Sequence, residues 1–313
     1  MGVDISVIIP AYNEEQNVNA LYKELTNVLR TINREYEIIF VDDCSTDATY
    51  KKLLELHTDD VLVKIIKFRK NFGQSAAMKA GFDHAKGPII ITLDADLQND
   101  PHDIPQMLEK LETEKYDVVC GWRKNRRDSF PKKVFSRIAN YIRTCLTGEI
   151  IHDSGCTLRI YKQDVVRDIE LNGELHRYIP ALLLWKGYRI GELKTNHRER
   201  ASGKSKYNWE RLANGFLDLL VIAFWQKYSA RPMHIFGGSG LIIGSIGFII
   251  ALYLGISRII FGTGLTDRPL FLVAMILLVV GIQFVALGIL ADILLRIYYG
   301  QNERKNYLID EIV

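Results

Sequence analysis

Several features that would place this chain in a special class are absent. Its 313 residues include four cysteines with no CxxC spacing and no evident pairing, which fits a reducing compartment. Eight prolines and 23 glycines without a period exclude a collagen-like chain. An apolar fraction of 48% excludes intrinsic disorder, and a net charge of +3 gives no basis for nucleic-acid binding through bulk positive charge.

Charged residues are also missing from two long stretches near the C-terminus. No Asp, Glu, Lys or Arg occurs from Met233 to Ser257 or from Pro269 to Ala291. The first stretch would be about 37 Å long as a helix, whereas a bilayer core of about 30 Å needs about 20 apolar residues. Buried core helices seldom run this long without a polar face. We therefore predict two transmembrane helices, at about residues 233–260 and 269–297.

The connection between the two predicted spans is short, from Gly262 to Pro269, so the spans must form an antiparallel hairpin. Cationic residues flank the outer ends of the hairpin: Lys227, Arg231, Arg296, Arg304 and Lys305. The positive-inside rule then predicts an inner-membrane protein whose N-terminal domain and C-terminus are cytoplasmic. Gly240 and Gly244 form a GxxxG motif that allows close packing within the hairpin or between subunits. We also predict a homo-oligomer.

Residues 1–200 alternate short β-branched runs with helical patterns. The runs predict five strands, at residues 5–9, 36–41, 62–68, 88–93 and 117–120. Helices are expected between them, at residues 14–32 and 46–57 and beginning at Gly73 and Pro101. This alternation predicts an α/β domain whose parallel sheet is covered on both faces. In such sheets, ligands bind beyond the carboxyl ends of the strands.

Acidic residues follow three of the predicted strands. Glu14 follows the first strand, Asp43 the second, and Asp94 and Asp96 the fourth. Like charges gathered in one crevice are costly unless a cation or a donor-rich ligand compensates them. Carboxylate oxygens suit Mg²⁺ or Mn²⁺, which commonly bridge substrate phosphates. An isolated DxD is a weak signal, but here it directly follows a strand beside two other acidic strand ends.

Two common nucleotide-binding motifs are missing. The chain has no GxxxxGK[ST] phosphate loop and no GxGxxG after its first strand. A P-loop NTPase and a dinucleotide oxidoreductase are therefore disfavoured. The segment Gly73–Gly81 instead predicts a helix start that packs closely against the sheet.

Five motifs stand in the order found in the family-2, GT-A-fold glycosyltransferases: PAYNEE, VDDCSTD, NFGQSAAMKAGF, LDADLQ and IHDSGCTLR. The chain resembles these enzymes over residues 4 to about 210. Within them it is most similar to the polyisoprenyl-phosphate glycosyltransferases, which include dolichol-phosphate mannose synthases and bacterial bactoprenol glucosyltransferases. The two-span hairpin suits the bacterial branch. The resemblance implies a Rossmann-like, mainly parallel GT-A domain.

The resemblance also implies roles for individual residues. Those expected at the base and ribose of a nucleotide sugar are Pro10, Tyr12, Glu14, Val41 and Asp43. Those expected at the pyrophosphate are Asp94, Ala95, Asp96 and Gln98, with Mg²⁺ or Mn²⁺ held by Asp94 and Asp96. Those expected at the acceptor phosphate are Arg123, Lys132, Ser136, Arg200 and Lys206, of which Arg200 and Lys206 would also contact the donor. The implied catalytic set is Asp94, Asp96, Arg123, Asp153 and Arg200.

The expected reaction transfers a sugar to a lipid phosphate with inversion at the anomeric carbon. A phosphate monoester is mostly ionised at neutral pH, because its second pKa is about 6, so the acceptor needs little general-base help. Metal and cationic side chains would stabilise the two anionic phosphate groups. Asp153 is therefore expected to orient the sugar or support charge at its ring, rather than to act as an essential base.

The predicted domains are a glycosyltransferase domain at residues 1–207, a juxtamembrane segment at 208–231, the spans at 232–298 and a tail at 299–313. Two amphipathic segments, Pro131–Thr147 and Trp209–Trp225, would bring the first domain to the membrane interface. Packing in the core is the alternative for Pro131–Thr147. At the interface, both segments would hold the crevice at the depth of the lipid headgroups, where a lipid phosphate lies.

The sequence leaves the donor sugar open and bears on two other classes of protein. The resemblance favours UDP-glucose as donor, with GDP-mannose and a polyprenyl-phosphate mannosyltransferase as the alternative. A processive polysaccharide synthase is disfavoured because its usual QxxRW motif is missing. A non-catalytic scaffold that binds nucleotide sugar would not require both the acidic and the basic residue sets. The expected acceptor is an undecaprenyl-type polyprenyl phosphate.

Overall fold

The computed structural model describes residues 2–123, 151–198 except 168, 170 and 172–174, and 232–301 except 263 and 265–268. For residue 296 and residues 298–301 only the backbone is described. The chain divides into two units, Met1–Leu220 and Val221–Val313. The predicted domain boundaries after residues 207 and 231 lie outside the described residues and stay predictions.

The first unit is built on a seven-stranded sheet with the order β3-β2-β1-β4-β6-β5-β7. Its strands are β1 (Ile5–Ala11), β2 (Tyr36–Asp42), β3 (Val63–Lys67), β4 (Ile89–Thr92), β5 (Val118–Trp122), β6 (Arg159–Lys162) and β7 (Ile190–Lys194). All pairings are parallel except those of β6, which is antiparallel to both β4 and β5. The predicted mainly parallel α/β sheet is therefore confirmed.

Helices cover both faces of this sheet. They are α1 (Val18–Ile32), α2 (Thr49–Asp59), α3 (Gln74–His84), α4 (Ile104–Thr113), α5 (Gln163–Arg167) and α6 (Ile179–Trp185), with 3₁₀ turns at Pro101–Asp103 and Leu175–Tyr178. One core cluster holds apolar side chains of α1, α2 and α4, and the other holds those of α3, α5 and α6. The burial pattern thus gives three layers, helix–sheet–helix.

The apolar runs explain which strands are central. Every residue of β2 is buried, and so is every residue of β1 except Pro10, as expected for strands covered on both faces. The edge strands β3 and β7 carry Lys64, Lys67, Glu192 and Lys194, which discourage pairing with another chain. At Gly81 in α3, an added Cβ would lie 2.3 Å from a methyl carbon of Ile8 in β1. The predicted close approach of this helix to the sheet is confirmed.

Two helices begin later than predicted. Residues 14–17 form a turn in which the amides of Asn17 and Val18 donate to the Glu14 carbonyl, so α1 begins at Val18 rather than at Glu14. Asn13 precedes this turn in the left-handed region, with φ of 57°. Helix α2 begins at Thr49 because residues 43–48 bond to the loop after β1 instead of propagating a helix.

Strands β6 and β7 were not predicted. β6 has only four residues, Arg159–Lys162, and it lies between β4 and β5 although it follows both in the chain. β7 adds a parallel edge strand beside β5. The sheet therefore has two more strands than the five that the apolar runs predict.

The second unit contains two long apolar helices, α7 (Pro232–Phe261) and α8 (Pro269–Gln301). Each is long and apolar enough to cross a membrane, and most of its large aliphatic side chains face outward. Contacts between Gly240 and Gly281 and between Gly247 and Ala274 show that the helices run antiparallel. The predicted two-helix hairpin is confirmed.

A row of small residues joins the two helices. An added Cβ on Gly281 would lie 2.7 Å from the Cα of Gly244, and one on Gly240 would lie 2.7 Å from the Gly281 carbonyl oxygen. Gly247 would similarly meet the Ala274 carbonyl oxygen at 2.9 Å. The GxxxG face therefore packs within the hairpin, one of the two arrangements expected from the sequence.

Candidate active site

The carboxyl end of β4 carries two carboxylates that are largely withdrawn from water. Asp96 is buried and Asp94 is half-buried. Burial and the charge of Asp96 raise the pKa of Asp94 to about 6, against the opposing effects of a hydrogen bond with Thr157 and the charge of Arg123. Glu14 contributes to the same rise. The structure thus brings Glu14, from the loop after β1, near the two carboxylates that follow β4.

Helix α3 is tied to this edge of the sheet through its first residue. The Gln74 side chain donates to Asp94 Oδ1 at 2.7 Å. The preceding amides of Phe72 and Gly73 donate to the two carboxylate oxygens of Asp43, at 2.7 and 2.9 Å. Asp43 therefore holds the loop that begins α3, in addition to the nucleotide contact expected from the resemblance.

The loops after β1 and β2 are joined to one another. Asn13 Oδ1 accepts from the Thr46 amide at 2.8 Å, and the Thr49 hydroxyl accepts from the Glu14 amide at 2.8 Å. Asn13, Cys44 and Leu97 follow β1, β2 and β4 respectively, and all three have positive φ, at 57°, 62° and 62°. Non-glycine residues in this conformation carry strain that the surroundings must hold, and such strain clusters at functional sites.

An ion pair stands beside the acidic strand ends. Arg123, directly after β5, donates from Nε and Nη2 to the two carboxylate oxygens of Asp153, at 2.6 and 2.9 Å. The side chains are only 11% and 14% exposed, so the pair is shielded from water. Burial by itself would lower the pKa of Arg123, but the hydrogen bonds and charge of Asp153 raise it. The remaining N–H groups of Arg123 are not used by this pair.

A stacked ring pair adjoins this ion pair, and the sequence analysis did not foresee it. Trp122 and His152 lie with ring centroids 4.3 Å apart and planes 19° from parallel. Glu192 of β7 accepts from the His152 amide at 2.8 Å and lies 2.7 Å from His152 Nδ1. These residues line an open pocket together with Gln106, Leu193 and Lys194.

The residues expected to contact the nucleotide sugar differ in how much of each side chain is exposed. Pro10 and Val41 are register partners on β1 and β2, close to the site. The side chains of Val41 and Ala95 are buried in the two core clusters, which leaves their backbone groups to contact a ligand. Tyr12 is half-buried, directly after β1. The Gln98 amide donates to Asp96 Oδ1 at 3.2 Å, so Gln98 shapes the turn that carries the DxD.

The other residues expected at the acceptor phosphate lie outside the described residues. These are Lys132, Ser136, Arg200 and Lys206, together with the amphipathic segments Pro131–Thr147 and Trp209–Trp225. Their expected roles stay predictions.

Comparison with known proteins assigns the chain to a family. Residues 6–170 match the family described as Glycosyl transferase family 2. A dodecaprenyl-phosphate galacturonate synthase of Rhizobium johnstonii is 40% identical over 315 residues, covering 99% of this chain and 93% of the relative. This chain belongs to glycosyl transferase family 2. An undecaprenyl-phosphate 4-deoxy-4-formamido-L-arabinose transferase of Proteus mirabilis is 37% identical, covering 99% of this chain and 94% of that relative.

Solved structures support the same fold. The structure of Staphylococcus aureus TarS residues 1–349 with UDP-GlcNAc is 21% identical, with a TM-score of 0.51 over 71% of this chain and 67% of that chain. Glucosyl-3-phosphoglycerate synthase of Mycobacterium tuberculosis with Mn²⁺, UDP and glucosyl-3-phosphoglycerate is 16% identical, with a TM-score of 0.53 over 72% and 80% of the two chains. At these identities the likeness establishes the GT-A fold alone.

Within this family-2 glycosyltransferase, several contacts at the site could not be predicted from the sequence motifs. Gln74 and Thr157 contact Asp94, and the ring pair of Trp122 and His152 joins segments 30 residues apart. Gln74 lies in the NFGQSAAMKAGF motif, and His152 and Thr157 lie in the IHDSGCTLR motif, but the motifs by themselves did not indicate these contacts. The antiparallel strand β6 and the edge strand β7 bring Trp122, His152 and Thr157 into position.

Proposed function

We propose that this chain transfers a sugar from a nucleoside diphosphate to a polyprenyl phosphate. The support is that two relatives, 40% and 37% identical over nearly their whole length, are named for a polyprenyl-phosphate product and a polyprenyl-phosphate transferase. The two helices suited to a membrane agree with an acceptor that is itself a lipid.

The observation that carries the proposal is the pair of carboxylates at the end of β4. Asp94 and Asp96 are held close together in a poorly solvated crevice, where their repulsion and burial raise the pKa of Asp94 to about 6. A divalent cation coordinated by carboxylate oxygens would relieve this repulsion. The residues therefore fit Mg²⁺ or Mn²⁺, the ions expected from the sequence. Mn²⁺ and UDP in the structure of glucosyl-3-phosphoglycerate synthase are consistent with this.

Asp94 and Asp96 would hold the cation, which would neutralise charge on the donor diphosphate when bound. Glu14 and the backbone at Pro10, Val41 and Ala95 would contact the nucleotide. Arg123 would attract the acceptor phosphate through the N–H groups that Asp153 does not use. The ionised acceptor oxygen would attack the anomeric carbon as the bond to the diphosphate breaks, which inverts the configuration. Arg200 and Lys206 are proposed to stabilise the departing diphosphate.

Asp153 is proposed to position the Arg123 side chain and to hold charge near the sugar, rather than to remove a proton. Both of its carboxylate oxygens accept hydrogen bonds from Arg123, and a phosphate acceptor brings its own negative charge. Asp153 would thus fix the direction of the Arg123 guanidinium and hold charge near the sugar.

The sugar is proposed from the relatives rather than from the earlier resemblance. The two relatives are named for galacturonate and for 4-deoxy-4-formamido-L-arabinose, and neither name contains glucose. We therefore place a UDP-activated uronic acid or amidated pentose ahead of UDP-glucose, with GDP-mannose as the remaining alternative. UDP is preferred because two structures of the same fold contain uridine nucleotides.

The proposed location is the inner membrane, with α7 and α8 as the spans and the first unit and C-terminus in the cytoplasm. The cationic residues that flank the hairpin support this orientation. A homo-oligomer remains part of the proposal, although the GxxxG face is already used within the hairpin.

The deciding experiment uses the full-length protein in detergent with undecaprenyl phosphate. Four radiolabelled donors are tested: UDP-galacturonate, UDP-4-deoxy-4-formamido-L-arabinose, UDP-glucose and GDP-mannose, each with Mn²⁺ or with EDTA. We expect a lipid-linked product from one of the first two donors with Mn²⁺ and none with EDTA. Nucleotide-sugar binding without any lipid-linked product would instead support a scaffold and contradict the proposal.

A further inference from the structure

The chain segment after β7 lies along the turn that carries the DxD. His197 forms an isolated antiparallel bridge with Asn99, and the Arg198 amide donates to the Gln98 carbonyl at 3.0 Å. Two residues before Arg198, the Asn196 amide donates to Asp103 Oδ2 at 2.8 Å. The backbone of residues 196–198 therefore holds residues 98–103, which begin two residues after Asp96.

The Arg198 side chain adds a second attachment to the same turn. Its guanidinium donates to both carboxylate oxygens of Glu24 in α1, at 2.8 and 2.6 Å. Nη2 also lies 2.8 Å from Oδ1 of Asp100. Arg198 thus joins three segments that are distant in sequence: α1, the turn after β4 and the segment after β7.

The turn needs such support because its own geometry is strained. Leu97 has a φ of 62°, a left-handed conformation that is unfavourable for a leucine. The Gln98 amide in this turn donates to Asp96 Oδ1 at 3.2 Å. The carbonyl of that same Gln98 is bonded to Arg198. Backbone hydrogen bonds thus link residue 198 to Asp96 through Gln98, and the Arg198 guanidinium holds the same turn separately, at Asp100.

Glu24, Asp100 and His102 lie close enough together to suggest a second metal site. Both oxygens of Glu24 already accept from Arg198, and Oδ1 of Asp100 lies 2.8 Å from both Arg198 and His102. The guanidinium supplies the positive charge that a metal would otherwise bring. This cluster is consequently an ion-pair network that attaches the turn.

We propose that Arg198 is a positioning residue for the donor site: its guanidinium bonds to Asp100 and Glu24, beside the backbone bond to Gln98, hold the turn that carries Asp96 in the arrangement that binds the divalent cation and the donor diphosphate. This inference rests on the proposed function. It also ties the DxD to the chain that leads into Arg200, which lies two residues after Arg198.

The test compares Arg198→Ala with Arg34→Ala in the full-length protein in detergent. Arg34 forms an equivalent two-point pair with Glu112, at 2.6 and 3.1 Å, and its side chain is 35% exposed against 38% for Arg198. Mn²⁺ binding, followed by the electron paramagnetic resonance signal of the free ion, needs no turnover. We expect Arg198→Ala to weaken Mn²⁺ binding about tenfold, as for other residues that orient metal ligands. Arg34→Ala should leave it unchanged.

Two further measurements separate positioning from general destabilisation. Saturating Mn²⁺ should restore most of the turnover of Arg198→Ala while the donor KM stays raised. Glu24→Gln should weaken Mn²⁺ binding to a similar extent. The double variant should bind Mn²⁺ no more weakly than Arg198→Ala alone, because both changes break one network. Additive losses, or an equal effect of Arg34→Ala, would overturn the proposal.

Asp94→Asn in the same titration separates this inference from the proposed function. If Asp94→Asn binds Mn²⁺ like the wild type, the proposed metal site is wrong, and amide hydrogen exchange of residues 99–103 decides the role of Arg198. Faster exchange in Arg198→Ala than in Arg34→Ala would support the attachment of the turn. Unchanged exchange would overturn it.

Discussion

Arg123 and Asp153 form a two-point ion pair, with Nε and Nη2 of the arginine 2.6 and 2.9 Å from the two carboxylate oxygens. The residues are 30 positions apart and meet because β6, which follows Asp153, lies beside β5, which precedes Arg123. Each side chain fixes the orientation of the other. The pair is thus a single unit beside the acidic strand ends.

This geometry predicts that Arg123 and Asp153 will act together in catalysis. Arg123→Lys and Asp153→Asn should each lower kcat about 100-fold, the usual cost of losing one preorganised charge-stabilising group. The double variant should be little worse than either single variant, since the pair is already broken. Lys162→Ala, which removes a more exposed pair with Asp117, is the control. Full turnover by Asp153→Asn would remove Asp153 from the catalytic set.

Removing either carboxylate of the DxD should abolish the metal-dependent activity. We expect Asp94→Asn and Asp96→Asn to lower kcat at least about 100-fold, because the charge that holds the cation is lost where it stabilises the diphosphate. Isothermal titration with Mn²⁺ should show binding lost in parallel. Asp83→Asn, at an exposed ion pair with Lys79 on α3, should bind and turn over normally. Normal metal binding by both DxD variants would exclude these residues as ligands.

The raised pKa of Asp94 predicts how metal binding depends on pH. Below about pH 6 the Asp94 carboxyl is protonated, and the proton competes with the cation for its oxygens. The affinity for Mn²⁺ should therefore rise about tenfold per pH unit up to about pH 6 and then become constant. Because the folded pKa exceeds the ordinary 3.8, ionisation of Asp94 costs the metal-free protein stability as pH rises from 3.8 to about 6. The increase in melting temperature caused by Mn²⁺ should therefore grow over this range. A pH-independent increase in the wild type would contradict the assignment.

The glycine row of the hairpin predicts a position-specific cost of added methyl groups. Gly281→Ala would place a Cβ 2.7 Å from the backbone of Gly244, so the helices must separate, at a cost of about 1–3 kcal/mol. Gly255→Ala is the matched control, because nothing lies within 4 Å of its added Cβ. Thermal unfolding in detergent should show a lower melting temperature for Gly281→Ala and no decrease for Gly255→Ala. Equal behaviour would mean that this packing does not hold the hairpin.

Most of the sheet could be predicted because its strands are apolar runs with a strong periodic contrast to the helices. β6 escaped prediction because it is short, with charged residues at both ends, and its partners β4 and β5 precede it by tens of residues. The late starts of α1 and α2 were also beyond local reasoning. Residues 14–17 and 46–48 have helical sequence patterns, but bonds across two loops hold them as turns.

Part of the candidate site could be predicted and part could not. Glu14, Asp43, Asp94 and Asp96 lie within four residues of strand ends, and parallel strands end at one edge, so their placement at that edge follows from the pattern. No sequence pattern indicated a role for Arg198. Its contacts with Glu24 and Asp100 span up to 174 positions, and charged residues of this kind are usually on a solvated face.

The sequence by itself determined the sheet-and-hairpin architecture, the family and the acidic strand ends, because these depend on periodicity, on the absence of charge and on residues attached to strand ends. Only the tertiary structure decided that Asp43 holds the loop before α3, that the GxxxG face is used within the hairpin, and that Arg123 is paired with Asp153. The reason is physical. A side chain's chemistry is fixed by its type, whereas its partners depend on which distant segments the fold brings within about 3 Å.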